Sequence, residues 1–166
     1  MDYSWKNYTT LVAEDDPLNY RYIELLLSRR TGVKIIWAKN GKEALNICKK
    51  QKDIDIVLLD LQLPELDGFK TLELIKMHNP YLPVIIQTAN SWNNEEDNCT
   101  KAGCDGFFNK PLNIDELLQK MDTCLKSYAS SKQIQHNSWL IFFFYNLLTW
   151  QYVQTIPIFR FSHHPF

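Results

Sequence analysis

The chain has 166 residues and a formal net charge of −1 at pH 7, a length that suggests one domain, or one domain with an appendage. The near-neutral charge argues against direct nucleic-acid binding, which requires a basic surface. The four cysteines show no metal-type C-x-x-C spacing and the amino terminus is too polar for a secretory signal. We therefore expect reduced thiols in a cytoplasmic protein.

The sequence alternates short apolar runs with stretches of helical periodicity. The first half predicts, in order, strand Thr10–Ala13, helix Pro17–Arg30, strand Val33–Ala38, helix Lys42–Gln51 and a strand at Ile54–Leu59. The second half predicts helix Phe69–Met77, strand Val84–Gln87, helix Ser91–Ala102, strand Gly106–Asn109 and helix Ile114–Lys126. Five strand–helix alternations with short connections are typical of a parallel sheet covered by helices on both faces. The fold class predicted for residues 7–128 is therefore α/β, a doubly wound five-stranded parallel sheet.

Polar side chains follow four of the predicted strands at their carboxyl ends. They are Glu14 and Asp15 after the first strand, Asp60 after the third, Thr88 after the fourth and Lys110 after the fifth. In open α/β sheets this edge binds ligands. Converging carboxylates repel one another unless a cation joins them, and oxygen ligands favour Mg²⁺. A lysine and a hydroxyl beside such a cation suit phosphoryl transfer, in which a carboxylate can be the nucleophile.

Five segments carry a resemblance to a known family: LVAEDDPLN, AKNGKEAL, IVLLDLQLPELDG, VIIQTAN and AGCDGFFNKP. In their order and spacing they resemble the response-regulator receiver domain of two-component signalling, over residues 7–128. Among such domains, the chain is most similar to the receivers of hybrid sensor histidine kinases. The resemblance implies the flavodoxin-like receiver fold.

The resemblance also implies a role for each matching residue. Asp60 would be the phosphoacceptor and would attack a phosphohistidine on a histidine kinase or a histidine phosphotransfer protein. Asp15, Asp60 and the backbone carbonyl of Gln62 would bind Mg²⁺, with Glu14 helping through water. Lys110 and Thr88 would contact phosphoryl oxygens. The protein would be a phosphoacceptor that assists its own phosphorylation and dephosphorylation, and not an enzyme in the usual sense.

Other positions would shape the switch. Phe107 lies at the family's aromatic switch position, where it cannot offer a hydroxyl to Thr88. Gln62 and Asn90 would tune dephosphorylation, and the peptide bond before Pro111 would be cis. Phosphorylation would reshape the face made by the fourth helix, fifth strand and fifth helix, which would bind a downstream protein. A homodimer through this face or through the tail is left open.

Four other interpretations compete with this one. A receiver-like interaction module that is never phosphorylated would use the same fold, and the chain could equally be the receiver portion of a hybrid histidine kinase. A haloacid-dehalogenase-type phosphatase would need a second aspartate where Gln62 stands. A flavodoxin-like electron carrier would need a Ser/Thr/Gly loop after the first strand, where this chain has acids.

The carboxyl-terminal part does not match the family pattern. Residues 129–138 are interpreted as a linker and residues 139–166 as an apolar, aromatic-rich tail of unknown role. Trp139–Phe159 contains no charged residue. It could be a docking segment, a non-native end or a membrane anchor, although polar residues interrupt the ~20 apolar residues that a membrane span needs.

Overall fold

The computed structural model of the chain describes residues 3–89 and 95–153, with side chains described up to residue 134. The chain divides into two compact units, Met1–Ala129 and Ser130–Phe166. Asn90 and the predicted start of the fourth helix at Ser91 lie outside the described residues.

Unit Met1–Ala129 contains five strands and the helices that connect them. The strands are β1 (Thr9–Ala13), β2 (Lys34–Ala38), β3 (Ile56–Asp60), β4 (Val84–Thr88) and β5 (Gly106–Asn109). The helices are α1 (Pro17–Thr31), α2 (Gly41–Lys50), α3 (Gly68–His78), α4 (Glu95–Lys101) and α5 (Ile114–Val153), the last of which continues beyond this unit. The strands form one parallel sheet in the order β2-β1-β3-β4-β5. The predicted doubly wound, five-stranded α/β fold is confirmed.

The strand order places β1 and β3 side by side at the centre of the molecule. Ala13 pairs with Ala38 of β2 and with Leu59 of β3, so these strands end at the same level. Connections leave β1 and β3 toward opposite sides of the sheet, because β2 lies on one side and β4 on the other. This is the switch point at which parallel sheets open a ligand crevice.

The core consists of two apolar layers, one on each face of the sheet. Successive strand residues point to opposite faces, so Leu11 packs in the layer with Leu72 of α3, and Val12 packs in the layer with Ile23 of α1 and Leu118 of α5. All residues of β1, β3 and β4 are buried. These strands therefore hold the residues at their carboxyl ends on a rigid frame.

Helix α1 has a capping residue at each end. The side chain of Asp16 accepts the backbone N–H groups of Leu18 and Asn19, each at 2.8 Å, which is the bonding of an N-cap. At the other end Gly32 adopts φ 69° and donates its N–H to Ser28. Glycine is the usual residue in this left-handed position because it has no Cβ.

Helix α5 differs most from the prediction. It was expected to end at Lys126, yet it continues to Val153 and includes the stretch predicted as a linker. Residues 127–153 contain neither glycine nor proline, and the polar residues there are tolerated in a helix. Within the described residues, no helix has the length and apolar character needed to cross a membrane. The division into receiver, linker and tail remains a prediction.

Candidate functional site

Three carboxylates converge at the carboxyl edge of the sheet. Glu14 and Asp15 directly follow β1, and Asp60 is the last residue of β3. Each offers one oxygen, and these oxygens lie within 4.8 Å of one another. Glu14 and Asp60 are buried, with 1% and 5% of their surface exposed, whereas Asp15 is exposed. The cluster is therefore open to solvent on the side of Asp15.

Lys110 connects two of these carboxylates. It follows β5, and its Nζ lies 2.5 Å from Asp60 Oδ2 and 2.8 Å from Glu14 Oε2. Its backbone N–H donates to the carbonyl of Thr88 at 2.8 Å, and the Lys110–Pro111 peptide bond is cis. The ammonium group thus contacts residues from β3 and from the end of β1.

Burial and ion pairing act in opposite directions on the charges of the site. Burial raises the pKa of Glu14, and the hydrogen bond from Lys110 offsets this only in part. Burial alone would lower the pKa of Lys110, but its hydrogen bonds to Asp60 and Glu14 outweigh that effect and leave the pKa raised. Lys110 therefore remains an ammonium at neutral pH.

The donor set fits a hard divalent cation. Three carboxyl groups share one ammonium, so acidic groups outnumber basic ones in the cluster. All the donor atoms are oxygens, which is the ligand preference of Mg²⁺. A divalent cation at this position would compensate the remaining charge.

Asp60 is oriented by the loop that follows it. Its Oδ1 accepts the backbone N–H of Gln62 at 2.9 Å, while Oδ2 faces Lys110. Gly68, at the start of α3, packs against the same backbone: a Cβ at this position would lie only 2.1 Å from the Asp60 carbonyl oxygen. The close approach therefore requires glycine, and it ties α3 to the end of β3.

Thr88 and Phe107 lie on the two neighbouring strands. Thr88 ends β4 and is 1% exposed. Phe107 pairs with Ile86 in the ladder between β4 and β5, and its half-buried ring packs against the apolar layer that contains Leu59. The sheet thus places Thr88 at the edge that carries Asp60, with Phe107 on the adjacent strand.

Three further side chains contact Glu14 and were missed by the sequence analysis. Asn19 Nδ2 donates to Glu14 Oε1 at 3.3 Å and Gln87 Nε2 donates to Oε2 at 3.2 Å. Trp37 Nε1 donates to the backbone carbonyl of Glu14 at 2.7 Å. Gln87 did carry a signal, because a polar residue in a strand that is buried on both faces needs a polar partner.

An exposed apolar surface lies beside the site on α1. Leu18 is 81% exposed and Tyr22 is 54% exposed, one turn apart. Tyr22 also lines a cavity of about 390 Å³, and Lys110 and Pro111 line the same cavity. An incoming group could therefore contact α1 and the Lys110 side of the site together.

Comparisons with known proteins agree with this geometry. A family model described as response regulator receiver domain matches residues 10–122. Sensor histidine kinase RcsC of Escherichia coli (strain K12) is 35% identical over 111 residues, which make up 67% of this chain and 12% of that protein. The chain thus spans only a small fraction of the length of this curated relative.

Two solved structures are informative neighbours. The receiver domain of sensor histidine kinase PA1611 from Pseudomonas aeruginosa PAO1, with a magnesium ion coordinated in its active-site cleft, is 28% identical with a TM-score of 0.66 and covers 72% of this chain and 98% of its own. A chain in the co-crystal structure of the Saccharomyces cerevisiae histidine phosphotransfer protein Ypd1 with the receiver domain of Ssk1 is 25% identical, with a TM-score of 0.62. The match covers 69% of this chain and 86% of the chain in that structure.

Proposed function

Because the chain belongs to the response regulator receiver domain family of two-component systems, we propose that Asp60 is its phosphoacceptor. The observation that carries this proposal is the setting of Asp60, a buried carboxylate with one oxygen on the Lys110 ammonium and the other on the Gln62 N–H. The phosphoryl donor is a phosphohistidine on a histidine kinase or a histidine phosphotransfer protein. The module is a phosphoacceptor that assists its own phosphorylation and dephosphorylation, and it is not a turnover enzyme.

The transfer exchanges one bond to phosphorus for another. A carboxylate oxygen of Asp60 attacks phosphorus, the O–P bond forms, and the P–N bond to the donor imidazole breaks. The departing imidazole nitrogen takes up a proton from water. Lys110 donates a hydrogen bond to one phosphoryl oxygen and Thr88 donates to another, so this chain contributes position and charge compensation.

We assign the metal site to Glu14, Asp15, Asp60 and the backbone carbonyl of Gln62. The oxygen-only donor set and the excess negative charge of the cluster support this assignment. Bound Mg²⁺ would neutralise the charge that builds up on the phosphoryl oxygens. The magnesium ion in the active-site cleft of the similar PA1611 receiver is consistent with Mg²⁺ as the cation at this site.

Phosphorylation would act on the side of the sheet that carries β4 and β5. A phosphoryl group adds negative charge and acceptor oxygens, which would draw the hydroxyl of Thr88 inward and let Phe107 follow. The face formed by α4, β5 and α5 would then change its affinity for a downstream protein, or for a second copy of the chain. The amide side chains of Gln62 and Asn90 would set the lifetime of the phosphoryl group.

The exposed apolar surface on α1 suits the docking of the donor. Tyr22 and Lys110 line the same cavity, and Leu18 is exposed one turn from Tyr22, so a helix packed there would bring its histidine to the Lys110 side of the site. The complex of Ypd1 with the Ssk1 receiver gives a precedent for a phosphotransfer protein as the partner. The free thiols of the described cysteines support a cytoplasmic location.

Acetyl phosphate with Mg²⁺ tests the phosphoacceptor without a protein partner. Intact-mass measurement should find one added phosphoryl group on the wild type and none on Asp60→Asn. The control is Asp16→Asn, which changes a neighbouring carboxylate but keeps a capping side chain, and it should be labelled like the wild type. Full labelling of Asp60→Asn would remove the assignment. An unlabelled wild type would favour the interaction module that is never phosphorylated.

A phosphorylated histidine phosphotransfer protein tests the docking surface. Leu18→Ser should slow transfer from this donor about tenfold or more, since it removes one exposed apolar anchor, while labelling by acetyl phosphate stays at the wild-type rate. Met77→Ser is the matched control, because Met77 on α3 is as exposed as Leu18, at 81%. Equal slowing by the two variants would contradict docking on α1.

A further inference from the structure

A tryptophan on β2 holds the backbone of the acidic loop. Trp37 Nε1 donates to the Glu14 carbonyl at 2.7 Å, and the Glu14 N–H donates to the Ala38 carbonyl at 3.0 Å. Both backbone groups of Glu14 are therefore bound to β2. The bond from the Glu14 N–H continues the ladder between β1 and β2. The bond from the Trp37 side chain reaches the Glu14 carbonyl, which lies just past the end of that ladder.

The indole ring of Trp37 is itself held on α1 and β2. The ring of Tyr20 stacks on it, with centroids 4.2 Å apart and planes inclined by 4°. Lys39 Nζ lies 5.0 Å from the centroid of the Trp37 ring. The Tyr20 hydroxyl donates to Glu24 on the same helix at 3.1 Å. These contacts limit the rotation of the indole and keep its N–H directed at Glu14.

The bond fixes the peptide plane from which Asp15 extends. The Glu14 carbonyl and the Asp15 N–H belong to one planar peptide unit, so a donor on that carbonyl restrains the backbone on both sides. One residue later, Asp16 is fixed by its own bonds to the start of α1. Asp15 thus lies between two restrained points, although its carboxylate is exposed.

We infer that Trp37 is a positioning residue for the divalent cation. Its indole N–H, acting through the Glu14 carbonyl, holds the carboxylates of Glu14 and Asp15 where they can share one ion. This inference rests on the proposed function, since it concerns the same metal site. It adds a residue from β2, a strand that carries none of the predicted ligands.

A second tryptophan provides the matched control. Trp5 is 2% exposed, and its Nε1 donates to Asp122 Oδ1 at 3.3 Å. Trp5 precedes β1, whereas Glu14 follows it, so Trp5 lies toward the opposite end of the sheet. Replacing either tryptophan with phenylalanine removes one indole hydrogen bond and keeps an aromatic ring. Only the change at Trp37 is expected to affect the metal site.

The experiment measures the Mg²⁺ concentration that gives half-maximal labelling by acetyl phosphate. In Trp37→Phe this concentration should rise about two- to tenfold, the range of one hydrogen bond, while labelling at saturating Mg²⁺ stays at the wild-type level. Trp5→Phe should leave it unchanged. Tyr20→Ala removes the stacked ring and should raise the half-maximal Mg²⁺ concentration. Tyr20→Phe keeps the ring and should leave that concentration unchanged. Circular dichroism checks that each variant is folded at the assay temperature.

A spectroscopic readout tests the contact in the wild-type protein. The Trp37 indole N–H resonance, identified by its absence from the Trp37→Phe spectrum, should move when Mg²⁺ is added, and the Trp5 resonance should not. If Trp37→Phe does not fold, the resonance is assigned by selective labelling, and a signal that does not respond to Mg²⁺ overturns the inference.

The outcomes separate this inference from the proposed function. A wild-type protein whose labelling does not depend on Mg²⁺ would contradict the proposed metal site itself. A Mg²⁺-dependent wild type with an equal half-maximal concentration in Trp37→Phe would overturn only the role of Trp37. Equal shifts in Trp37→Phe and Trp5→Phe would indicate a general loss of stability and would also overturn that role.

Discussion

At the scale of single residues, burial of the Glu14 carboxylate in the site costs folding free energy. Glu14 is 1% exposed, and three side chains donate hydrogen bonds to its carboxylate: Asn19, Gln87 and Lys110. Burial nevertheless leaves its pKa raised above the usual 4.5. An ionised Glu14 therefore destabilises the fold when no cation is bound, which is the expected cost of assembling a metal site in advance.

Glu14→Gln tests this cost through its pH dependence. Because the folded state binds the Glu14 proton more tightly than the unfolded state, wild-type stability falls as pH rises from near 4.5 to the raised pKa. The glutamine does not ionise, so the difference in unfolding free energy should grow in favour of the variant across this window and then level off. Urea denaturation without Mg²⁺ from about pH 4 to about pH 8 measures it. A difference in unfolding free energy that does not change with pH would contradict the raised pKa of Glu14.

Gly68→Ala tests the contact beneath Asp60. The added Cβ would lie 2.1 Å from the Asp60 carbonyl oxygen and 2.5 Å from Leu61 Cα, so backbone must move. We expect a loss of about 1–3 kcal/mol in unfolding free energy together with slower labelling by acetyl phosphate. In the control Gly106→Ala, the Cβ would meet the flexible side chain of Lys120 at 3.1 Å. Labelling that is unaffected in Gly68→Ala would exclude this role in orienting Asp60.

At the scale of elements, helix α1 connects the acidic loop to the apolar docking surface. Asp16→Ala removes the acceptor for the N–H groups of Leu18 and Asn19 and should cost about 1 kcal/mol of unfolding free energy. The asparagine in Asp16→Asn can still cap the helix, so the unfolding free energy of this variant should stay within about a few tenths of a kcal/mol of the wild-type value. Since Asp16 is outside the proposed ligand set, the Mg²⁺ requirement of Asp16→Asn should be unchanged. Urea denaturation and Mg²⁺-dependent labelling measure both effects.

Sequence patterns predicted the strands well and the end of the last helix poorly, for local reasons. Apolar runs bounded by turn residues located β3 and β4 to within two residues, because a strand that is buried on both faces is apolar over most of its length. The end of α5 was missed because the polar stretch after Lys126 contains no residue that stops a helix. Polarity alone is a weak sign of a helix end.

The site was predictable to the extent that it depends on strand ends. A parallel sheet brings Glu14, Asp60 and Lys110 to one edge whatever the strand order. The contacts of Gln87 and Trp37 with Glu14 were not predictable, since they depend on which strands are neighbours and on how side chains pack between them. Such partners are distant in sequence and belong to no local pattern.

At the scale of the whole molecule, the family match ends before the core does. It stops at residue 122, yet Leu125 is 1% exposed, and the Tyr128 hydroxyl accepts a hydrogen bond from Asn79 at 3.1 Å. A chain ending after residue 129 should therefore fold and be labelled at Asp60 by acetyl phosphate. A chain ending after residue 122 loses these apolar contacts and should be less stable by several kcal/mol, at about 2–5 for each large apolar side chain.

Thermal unfolding and acetyl phosphate labelling of the two shortened chains and the full chain measure this. If the chain ending after residue 129 failed to fold, the second unit, Ser130–Phe166, would be required for the first, against the division predicted from the sequence.

The strand order also decides how the sheet meets other molecules. Among the described strands, β2 and β5 are the two edge strands of the sheet, where unpaired backbone groups could template pairing with another chain and start aggregation. β5 has four residues and β2 has five, and β2 begins at the exposed Lys34 and is followed by Lys39. Two copies aligned along β2 would bring lysines of like charge together, which disfavours the growth of the sheet from one molecule into the next.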